Sequence, residues 1–484
     1  MTNNLPNAAA SPTISASASS RREMLRTLGT GFGFVALCGL VSEQAGADYS
    51  NPLNPKQPHF APRAKRVIML TMRGGPSHVD TFDYKPKLVE DAGKSTGDNK
   101  NRKLLPSPFQ FSQHGESGQW ISELYSNVAQ HADDLCIVNS MTTDVPNHPQ
   151  AFMMLHTGEF RFARPSVGAW ALYGLGTENR DLPGFVTISP PSRFGGTQNY
   201  GSGFLPAIYQ GTAIGQSGSP VSNASVSNIR STELSTPEQR RQLDLLQGMN
   251  RDFLKKKEVN LELEGIIESY ELAFRMQGAL PDVLDLAKES TATLEMYGIN
   301  GGAEGGAGKG KRAGGGSADF GRQCLMARRL LESGVRFVEV CHEGWDQHSG
   351  LKARLTANCG ATDKPIAALL TDLKQRGMLK DTLVIWGGEF GRTPSGQSDD
   401  GRDHNAKGFS MWLAGGGVKG GLRYGSTDDH GAEAIEKKVH HHDLHATILH
   451  LLGLDHEKLT YRYGGRDYKL TGVSDARVAE GIIA

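Results

Sequence analysis

The sequence predicts an α/β protein in which a mainly parallel central sheet is flanked by helices, with a small helical insertion. Short apolar runs, too brief for helices, alternate with segments of helical spacing. Each run is followed by a polar or glycine-rich loop that carries His, Asp or Glu. Parallel strands place such loops at one edge of a sheet, so one shared site is the economical explanation. The runs are residues 66–72, 135–139, 335–340 and 383–386.

Length and charge narrow the functional classes. A chain of 484 residues forms one large domain or two ordinary ones without needing disulfides or metals to hold its core. The formal net charge is zero, and no basic run could neutralise phosphates, so neither nucleic acid nor an anionic membrane is expected as a partner. After the N-terminus no apolar run is long enough for a stable membrane span.

The first 47 residues resemble a twin-arginine signal peptide. Arg21 and Arg22 precede a moderately apolar run at 27–41, and Ala45-Gly46-Ala47 offers a cleavage site. The alternatives are an ordinary secretory signal or a disordered tail. A twin-arginine signal predicts recognition by the twin-arginine export machinery and a periplasmic or extracellular location. Because such substrates cross the membrane folded, the signal also favours a metalloprotein.

The mature chain divides into four predicted segments. Residues 48–234 form the first part of the α/β domain, and 235–300 form a helical insertion that begins with a cap and a proline at Thr236-Pro237. Residues 301–318 are a glycine-rich linker, and 319–484 complete the α/β domain. The four cysteines after the signal match no zinc motif, and an oxidising compartment permits disulfides among them without requiring any.

Candidate ligands follow the first three runs. His78, Asp80 and Asp83 come soon after 66–72, although Ser77 or Asp80 could instead cap a helix. His148 follows 135–139 and lies near the start of a helix predicted at 151–156. A lone loop histidine is more often simply exposed. The pair Asp346 and His348 follows the run at 335–340.

The fourth run brings the densest polar chemistry. Glu389 lies just beyond 383–386, and the loop after it returns Asp403 and His404. A loop that holds these groups over Glu389 would form a hard-cation or zinc site. The alternative is a surface loop with solvated acids. Two nearby patterns, Asp428-Asp429-His430-Gly431 and His440-His441-His442, are expected to lie outside the site, because no buried strand leads into the first and the second precedes a helix cap.

Four motifs combine glycine or proline with polar residues: Gly74-Gly75-Pro76-Ser77-His78, Arg164-Pro165-Ser166-Val167-Gly168-Ala169-Trp170, Gly387-Gly388-Glu389-Phe390-Gly391-Arg392-Thr393-Pro394 and Gly401-Arg402-Asp403-His404. They resemble the alkaline phosphatase and sulfatase superfamily, and most closely its exported branch, the domain-of-unknown-function family fifteen-oh-one. The resemblance covers roughly residues 65–190 and 320–470. It implies an alkaline-phosphatase-like sandwich.

The sequence departs from the superfamily pattern at four residues in three motifs. Arg73 and Gly74 stand where sulfatases have a metal-binding Asp pair, so the first-strand ligand must come later. Phe390 replaces a ligand histidine, which His404 could restore. His148 occupies the place of the cysteine that matures to formylglycine, which makes formylglycine chemistry unexpected.

The resemblance implies a metal-dependent hydrolase of sulfate or phosphate esters, acting on a small-molecule or glycan ester. The cofactor would be a divalent metal: Zn, Ca, Mg or Mn. The nucleophile would be His148, a water activated by the metal, or a hydroxyl of Ser77, Thr142 or Thr143. The alternative is a non-catalytic metal- or glycan-binding envelope protein with the same fold. Predicted catalytic residues are His148, Arg392 and Arg73, and predicted metal ligands are His78, Asp80, Asp346, His348, Glu389, Asp403 and His404.

Overall fold

The computed structural model describes residues 51–96, 99–221, 233–254, 261–299, 317–398 and 400–484. The predicted export signal, residues 1–47, lies outside these ranges, as does nearly all of the predicted linker at 301–318.

The centre of the molecule is one sheet, and nine strands of the described residues belong to it. Most of these strands are buried on both faces, as expected for a sheet covered by helices. In chain order they are β1 Arg66–Met72, β2 Leu135–Thr142, β3 Phe185–Ile188, β4 Thr212–Ile214, β5 Phe337–His342, β6 Thr382–Gly387, β7 Phe409–Ala414, β8 Leu422–Tyr424 and β9 Val439–His440.

Across the sheet the strands lie in the order β8-β2-β7-β6-β1-β5-β3-β4, and β9 continues β8 along the same side of β2. Strand β7 runs antiparallel to both of its neighbours, and the other pairings are parallel. The predicted α/β class with a mainly parallel central sheet is therefore confirmed. Because β1, β2, β5 and β6 point the same way, the loops after them meet at one edge.

Helices cover the sheet, and three of them fall within the predicted insertion at 235–300. Whether that insertion is a separate domain stays a prediction. The helices are α1 Pro86–Glu90, α2 His148–Thr157, α3 Val167–Leu175, α4 Thr236–Leu254, α5 Leu261–Leu284, α6 Thr291–Met296, α7 Ser317–Glu332, α8 Leu351–Gln375 and α9 His441–Leu451. Within the described residues, none combines the length and the apolar composition that crossing a membrane would require.

Within the described ranges, five small antiparallel hairpins lie outside the central sheet. One of them follows β6 directly and reaches over the polar edge of the sheet. Their strands are Ser95–Thr96 with Asn99–Lys103, Phe111–His114 with Gln119–Ser122, Gly391–Gln397 with Gly401–Asn405, Ser426–Thr427 with Ala434–Glu436, and Tyr461–Tyr463 with Arg466–Tyr468.

Most predicted elements are present, and the differences have physical causes. Strand β1 has the predicted bounds, whereas β2 extends to Thr142 because its polar end still pairs with β7 and β9. The sequence pattern does not predict a regular element at residues 185–188, yet these residues form β3, which is buried beside β5. All four cysteines after the predicted signal are buried and free.

Candidate metal centre

Four side chains from three strand-end segments converge at the carboxyl edge of the sheet. His148 is the first residue of α2, Asp346 and His348 lie in the loop after β5, and His404 lies in the hairpin strand Gly401–Asn405. One ligand atom of each lies within 4.8 Å of the others. The fold therefore brings together residues that are up to 256 positions apart in the chain (148 to 404).

One carboxylate oxygen lies at the centre of this group. Asp346 Oδ1 is 2.8 Å from His348 Nε2, 3.2 Å from His148 Nε2 and 3.3 Å from His404 Nε2. The Nε2 atoms of His348 and His404 are 3.0 Å apart. All three histidines thus present the same ring nitrogen to the same point.

The outward nitrogen of each histidine faces an oxygen that can only accept a hydrogen bond. Each Nδ1 must therefore carry a proton, and in the neutral ring each Nε2 then keeps a lone pair directed at Asp346. Oxygen acceptors behind the ring are typical of metal-binding histidines. The three bonds are His148 Nδ1 to Glu389 Oε1 at 2.6 Å, His348 Nδ1 to Gln397 Oε1 at 2.5 Å, and His404 Nδ1 to the Pro146 carbonyl at 2.7 Å.

These residues fit a metal ion. Lone pairs of His348 and His404 that face each other across 3.0 Å repel unless a cation or a proton lies between them. His148 Nε2 is buried and has no hydrogen-bond partner among the described residues. Ligands about 2.0–2.1 Å from a tetrahedral zinc ion lie roughly 3.3 Å from one another. Asp346 Oδ1 lies 2.8–3.3 Å from the three Nε2 atoms, close to that value.

The group is open on one side. The side chains of Asp346 and His348 are 42% and 36% exposed, whereas those of His148 and His404 are 10% and 16% exposed. A small molecule can therefore approach past Asp346 and His348, while the other two histidines form the floor.

Glu389 stands behind His148 and does not converge with the four ligand atoms. It is fully buried, and both of its carboxylate oxygens accept the Gly74 N–H at 3.1 Å. Burial raises the pKa of Glu389, but the hydrogen bond and charge of His148 outweigh burial and lower it. Burial lowers the pKa of His148, but Asp346 and Glu389 outweigh that effect and raise it to about 9. Without a metal ion, the two carboxylates therefore favour the protonated form of His148.

Gly74 is required by the close approach of two loops. Its φ of 121° lies where residues other than glycine are rare. A Cβ at this position would lie 2.5 Å from the backbone nitrogen of Asp346. The glycine therefore allows the loop after β1 to hold both Glu389 and the Asp346 backbone.

Arg392 holds Asp346 in place. Its side chain is fully buried, and Nη2 donates to Asp346 Oδ1 at 2.7 Å. The same guanidinium donates to the carbonyls of Gly75 and Arg402 at 2.9 and 3.2 Å, and also to that of Gly74. Burial raises the pKa of Asp346, but hydrogen bonds from its neighbours, with the charge of Arg392, lower it. Because its donors are used in this way, Arg392 has a positioning role.

Arg73 is separated from the histidines by an aromatic ring. Its guanidinium lies 4.7 Å from the ring centre of Phe194, which in turn lies 5.6 Å from His148. Arg73 also pairs with Glu343. Phe390, which stands where the superfamily pattern has a ligand histidine, packs against both His148 and His404, with ring centres 4.8 and 4.6 Å away.

Three predicted ligands have other partners. His78 is buried and its Nε2 contacts the Gly431 carbonyl at 2.8 Å. Asp80 accepts two hydrogen bonds from Arg402, at 2.7 and 3.1 Å, and both side chains are fully buried. Asp403 pairs with Arg102 at 2.6 Å. The structure does not bring these three residues into the convergent group: a guanidinium pairs with each of the two carboxylates, and the Gly431 carbonyl occupies Nε2 of His78.

Among the described residues, the hydroxyl candidates make no hydrogen bond to the convergent group. Ser77 donates to Asp80 at 2.5 Å, and Thr143 Oγ1 is buried without a partner among the described residues. Among those residues, no hydrogen bond of the four convergent side chains involves a Ser, Thr or Cys side chain. Of the patterns expected outside the site, Asp428 caps its own loop and His442 contacts the Gly158 carbonyl at 2.8 Å.

Sequence reasoning missed three contributors to this site. Gln397 and the Pro146 carbonyl fix two of the histidine rings, and Phe194 covers the third. Backbone carbonyls leave no sequence signal, and a glutamine in a polar loop is unremarkable. Phe194 adopts a positive φ of 57°, which is uncommon for an aromatic residue and is visible only in the structure.

The fold and the site define an α/β protein with a candidate metal centre at the carboxyl edge of its central sheet. The chain belongs to the family described as "Protein of unknown function (DUF1501)", whose sequence profile matches residues 64–483. The family membership that the sequence resemblance implied is thereby confirmed.

Several solved structures are similar at low identity. One is a protein in the alkaline phosphatase superfamily from Vibrio parahaemolyticus, at 10% identity, TM-score 0.36, and 87% and 74% coverage of this chain and that one. The PsFucS1 sulfatase from Pseudoalteromonas sp. has 12% identity, TM-score 0.35, and 81% and 68% coverage. The lipoteichoic acid synthase LtaP from Listeria monocytogenes has 10% identity, TM-score 0.33, and 91% and 80% coverage. No curated protein sequence matches the chain.

Proposed function

We propose that this protein is an exported, metal-dependent hydrolase of sulfate or phosphate esters. The reaction class comes from the sequence motifs that resemble alkaline phosphatases and sulfatases. A metal ion is proposed because the lone pairs of three imidazoles point at one carboxylate oxygen, and the Nε2 atoms of His348 and His404 are only 3.0 Å apart. Such a set of acceptors is stable when a cation occupies its centre.

We propose zinc as the ion. Calcium and magnesium prefer oxygen ligands, whereas three imidazoles and one carboxylate suit zinc or another transition metal. Chemistry at the ion would need a further position open to solvent on the exposed side of Asp346 and His348, where a bound ion would neutralise the charge of the ester group and lower the pKa of a water molecule. His148, Asp346, His348 and His404 would hold the ion.

The remaining residues position the ligands. Glu389 orients His148, and Arg392 orients Asp346. The half-exposed side chains of Asp346 and His348 leave room for an ester to approach. Water is proposed as the nucleophile, because among the described residues the hydroxyl groups of Ser77, Thr142 and Thr143 make no hydrogen bond to the convergent group.

The test compares two ligand variants with a matched histidine control. His348→Ala and His404→Ala remove ligands, whereas His442→Ala removes a histidine that contacts the Gly158 carbonyl. Metal content would be measured by mass spectrometry, and turnover with an aryl phosphate and an aryl sulfate, before and after chelation and zinc addition. We expect the wild type and His442→Ala to retain bound zinc and turnover, and both ligand variants to lose them.

Two results would contradict the proposal in different ways. Turnover that survives in the ligand variants would exclude this group as the active site. Bound metal without turnover on either ester would favour the second candidate, a metal- or glycan-binding envelope protein. The absence of a Ser, Thr or Cys partner among the hydrogen bonds of the four described side chains is the observation that favours this candidate.

We propose periplasmic or extracellular location from the paired arginines at 21 and 22. The double change of Arg21→Lys and Arg22→Lys should leave uncleaved precursor in the cytoplasm, measured by cell fractionation. Arg26→Lys is the control, because it alters an arginine of the same segment outside the pair. Normal export of the double variant would contradict the twin-arginine route.

A further inference from the structure

Two strongly exposed aromatic side chains belong to one surface cluster. Phe162 is 60% exposed in the segment after α2, and Tyr463 is 49% exposed in the hairpin of Tyr461–Tyr463 and Arg466–Tyr468. Arg164 links them, because its guanidinium lies 5.6 Å from the ring centre of Phe162 and 4.6 Å from that of Tyr468. Exposed apolar groups that cluster in this way often mark a binding surface.

The aromatic rings of this cluster pack on one another and on the buried core. Tyr461 lies opposite Tyr468 in the hairpin register and Tyr463 lies opposite Arg466, so these four side chains share one face. Phe204 stacks on Tyr463 with ring centres 5.3 Å apart and an interplanar angle of 18°. Behind it, Phe204 contacts the buried ring of Trp170 at 6.2 Å.

Two arginines add charge to this face. The guanidinium groups of Arg164 and Arg466 lie 4.6 and 5.0 Å from the ring centre of Tyr468. Within the part of the chain that the structure describes, neither group has a carboxylate within 4.0 Å or donates a hydrogen bond. By contrast, Arg462 on the other face of the hairpin pairs with Asp467 at 3.2 Å. A guanidinium stacked on a ring still has its N–H edge available for anions.

We propose that this aromatic–arginine platform binds an anionic polysaccharide. The C–H faces of pyranose rings are apolar and flat, so they pack on aromatic rings, while sulfate or carboxylate substituents accept hydrogen bonds from guanidinium edges. The chain has a formal net charge of zero, so this local excess of positive charge is a property of the platform. The platform consists of Phe162, Arg164, Phe204, Tyr463, Arg466 and Tyr468.

A polysaccharide fits this surface better than a lipid bilayer does. Binding to a bilayer surface needs apolar side chains that insert among the acyl chains, with basic side chains attracted to anionic headgroups. In the platform, rings are stacked on one another or under a guanidinium, which suits a flat, ring-shaped polar ligand better than insertion.

The platform is separate from the candidate metal centre. Helix α2 has ten residues, so its ends are about 15 Å apart, with His148 at one end and Phe162 beyond the other. The binding proposal therefore does not depend on the metal. A polymer of several sugar units is long enough to contact both places.

The test measures binding of dextran sulfate, with neutral dextran of the same length for comparison, by isothermal titration calorimetry of the mature full chain at physiological salt. We expect dextran sulfate to bind and neutral dextran not to bind. Tyr463→Ala should weaken binding at least about tenfold, as for an aromatic anchor, while Tyr463→Phe retains the ring and should bind like the wild type. Treatment with a chelator should leave binding unchanged.

Arg466→Ala and Arg462→Ala form a matched pair, because they remove the same charge from opposite faces of one hairpin. We expect a loss of about tenfold for the first and less than about twofold for the second. Equal losses of affinity in the two variants would mean that dextran sulfate is attracted to positive charge in general and not to a specific site, and this would overturn the proposal. Equal binding of phosphatidylglycerol vesicles, with the same dependence on Tyr463, would overturn it in favour of a lipid surface. Unchanged melting temperatures would confirm that each variant is folded.

Discussion

Helix α2 carries two histidines that look alike and differ in their chemistry. His148 at its start and His156 near its end each contact a buried glutamate, through His148 Nδ1 to Glu389 Oε1 at 2.6 Å and His156 Nε2 to Glu339 Oε1 at 2.5 Å. The second nitrogen distinguishes them. His156 Nδ1 donates to the Phe152 carbonyl at 2.7 Å, whereas His148 Nε2 faces Asp346 without a hydrogen bond.

The comparison teaches what makes an imidazole available to a metal. The His156–Glu339 pair is closed, because both ring nitrogens donate and Glu339 also accepts from Thr71 and Thr187 at 2.9 Å. In the His148–Glu389 pair, the glutamate fixes one nitrogen and leaves the other directed at neighbouring ligands. Near the end of α2, the pairing of an imidazole with a carboxylate stabilises the core. At the start of α2, the same kind of pairing orients a candidate metal ligand.

The largest expected effect is on the closed pair. Glu339→Ala leaves His156 buried without its counter-charge, which should reduce the free energy of unfolding by about 3–5 kcal/mol, measured in urea after chelator treatment. The exposed pair of Glu457 and Lys469 provides the control, since Glu457→Ala should cost less than about 1 kcal/mol. A loss of metal from folded Glu339→Ala would show that the two pairs do not differ as described.

Glu389→Gln should act on the metal more than on the fold. It replaces the charged acceptor behind His148, and changes of this kind typically weaken metal affinity about 10–100-fold. The measurement is competition with a fluorescent zinc chelator. Glu339→Gln is the matched control and should keep the wild-type affinity within about twofold. If both variants lost affinity equally, the distinction between the pairs would fail.

The closed pair should also give a pH window in which it stabilises the metal-free protein. Burial raises the pKa of Glu339, but His156 outweighs it and lowers the pKa from 4.5, so this contribution is lost as pH falls through the lowered value. Burial lowers the pKa of His156, but Glu339 outweighs it and raises the pKa from 6.5, so the contribution is lost as pH rises through the raised value.

The stability difference between the wild type and a double variant, His156→Gln with Glu339→Gln, should therefore be greatest between about pH 4.5 and 6.5. Urea unfolding of chelator-treated protein at a series of pH values measures it. A difference that is constant from pH 4 to 9 would mean that the pair is not ionised in the native protein.

The smallest effect is expected at a histidine near the C-terminal end of α2. His442 contacts the Gly158 carbonyl at 2.8 Å and has no role in the convergent group. His442→Ala should cost about 0.5–1.5 kcal/mol of unfolding free energy and leave the metal content unchanged. Loss of metal from His442→Ala would mean that the consecutive histidines at 440–442 also belong to the metal site.

Sequence patterns predicted the edge of the sheet better than the identity of the ligands. The apolar runs located β1, β2, β5 and β6, and parallel strands made a shared edge for their loops the natural expectation. The structure brings together Asp346, His348 and His404, and His148 joins them as a fourth ligand atom. Asp80 shows why the rest was unpredictable: Arg402, 322 positions later, occupies its carboxylate.

The sequence by itself determined the α/β class, the strand-end loops and the family, because apolar periodicity and local motifs are properties of contiguous residues. Only the tertiary structure decided which acids and histidines share a centre, and which are neutralised by a guanidinium or a carbonyl. These contacts form between atoms of residues that lie hundreds of positions apart in the chain, so no local sequence pattern predicts them. The direction of one imidazole nitrogen, set by an oxygen behind the ring, separates His148 from His156.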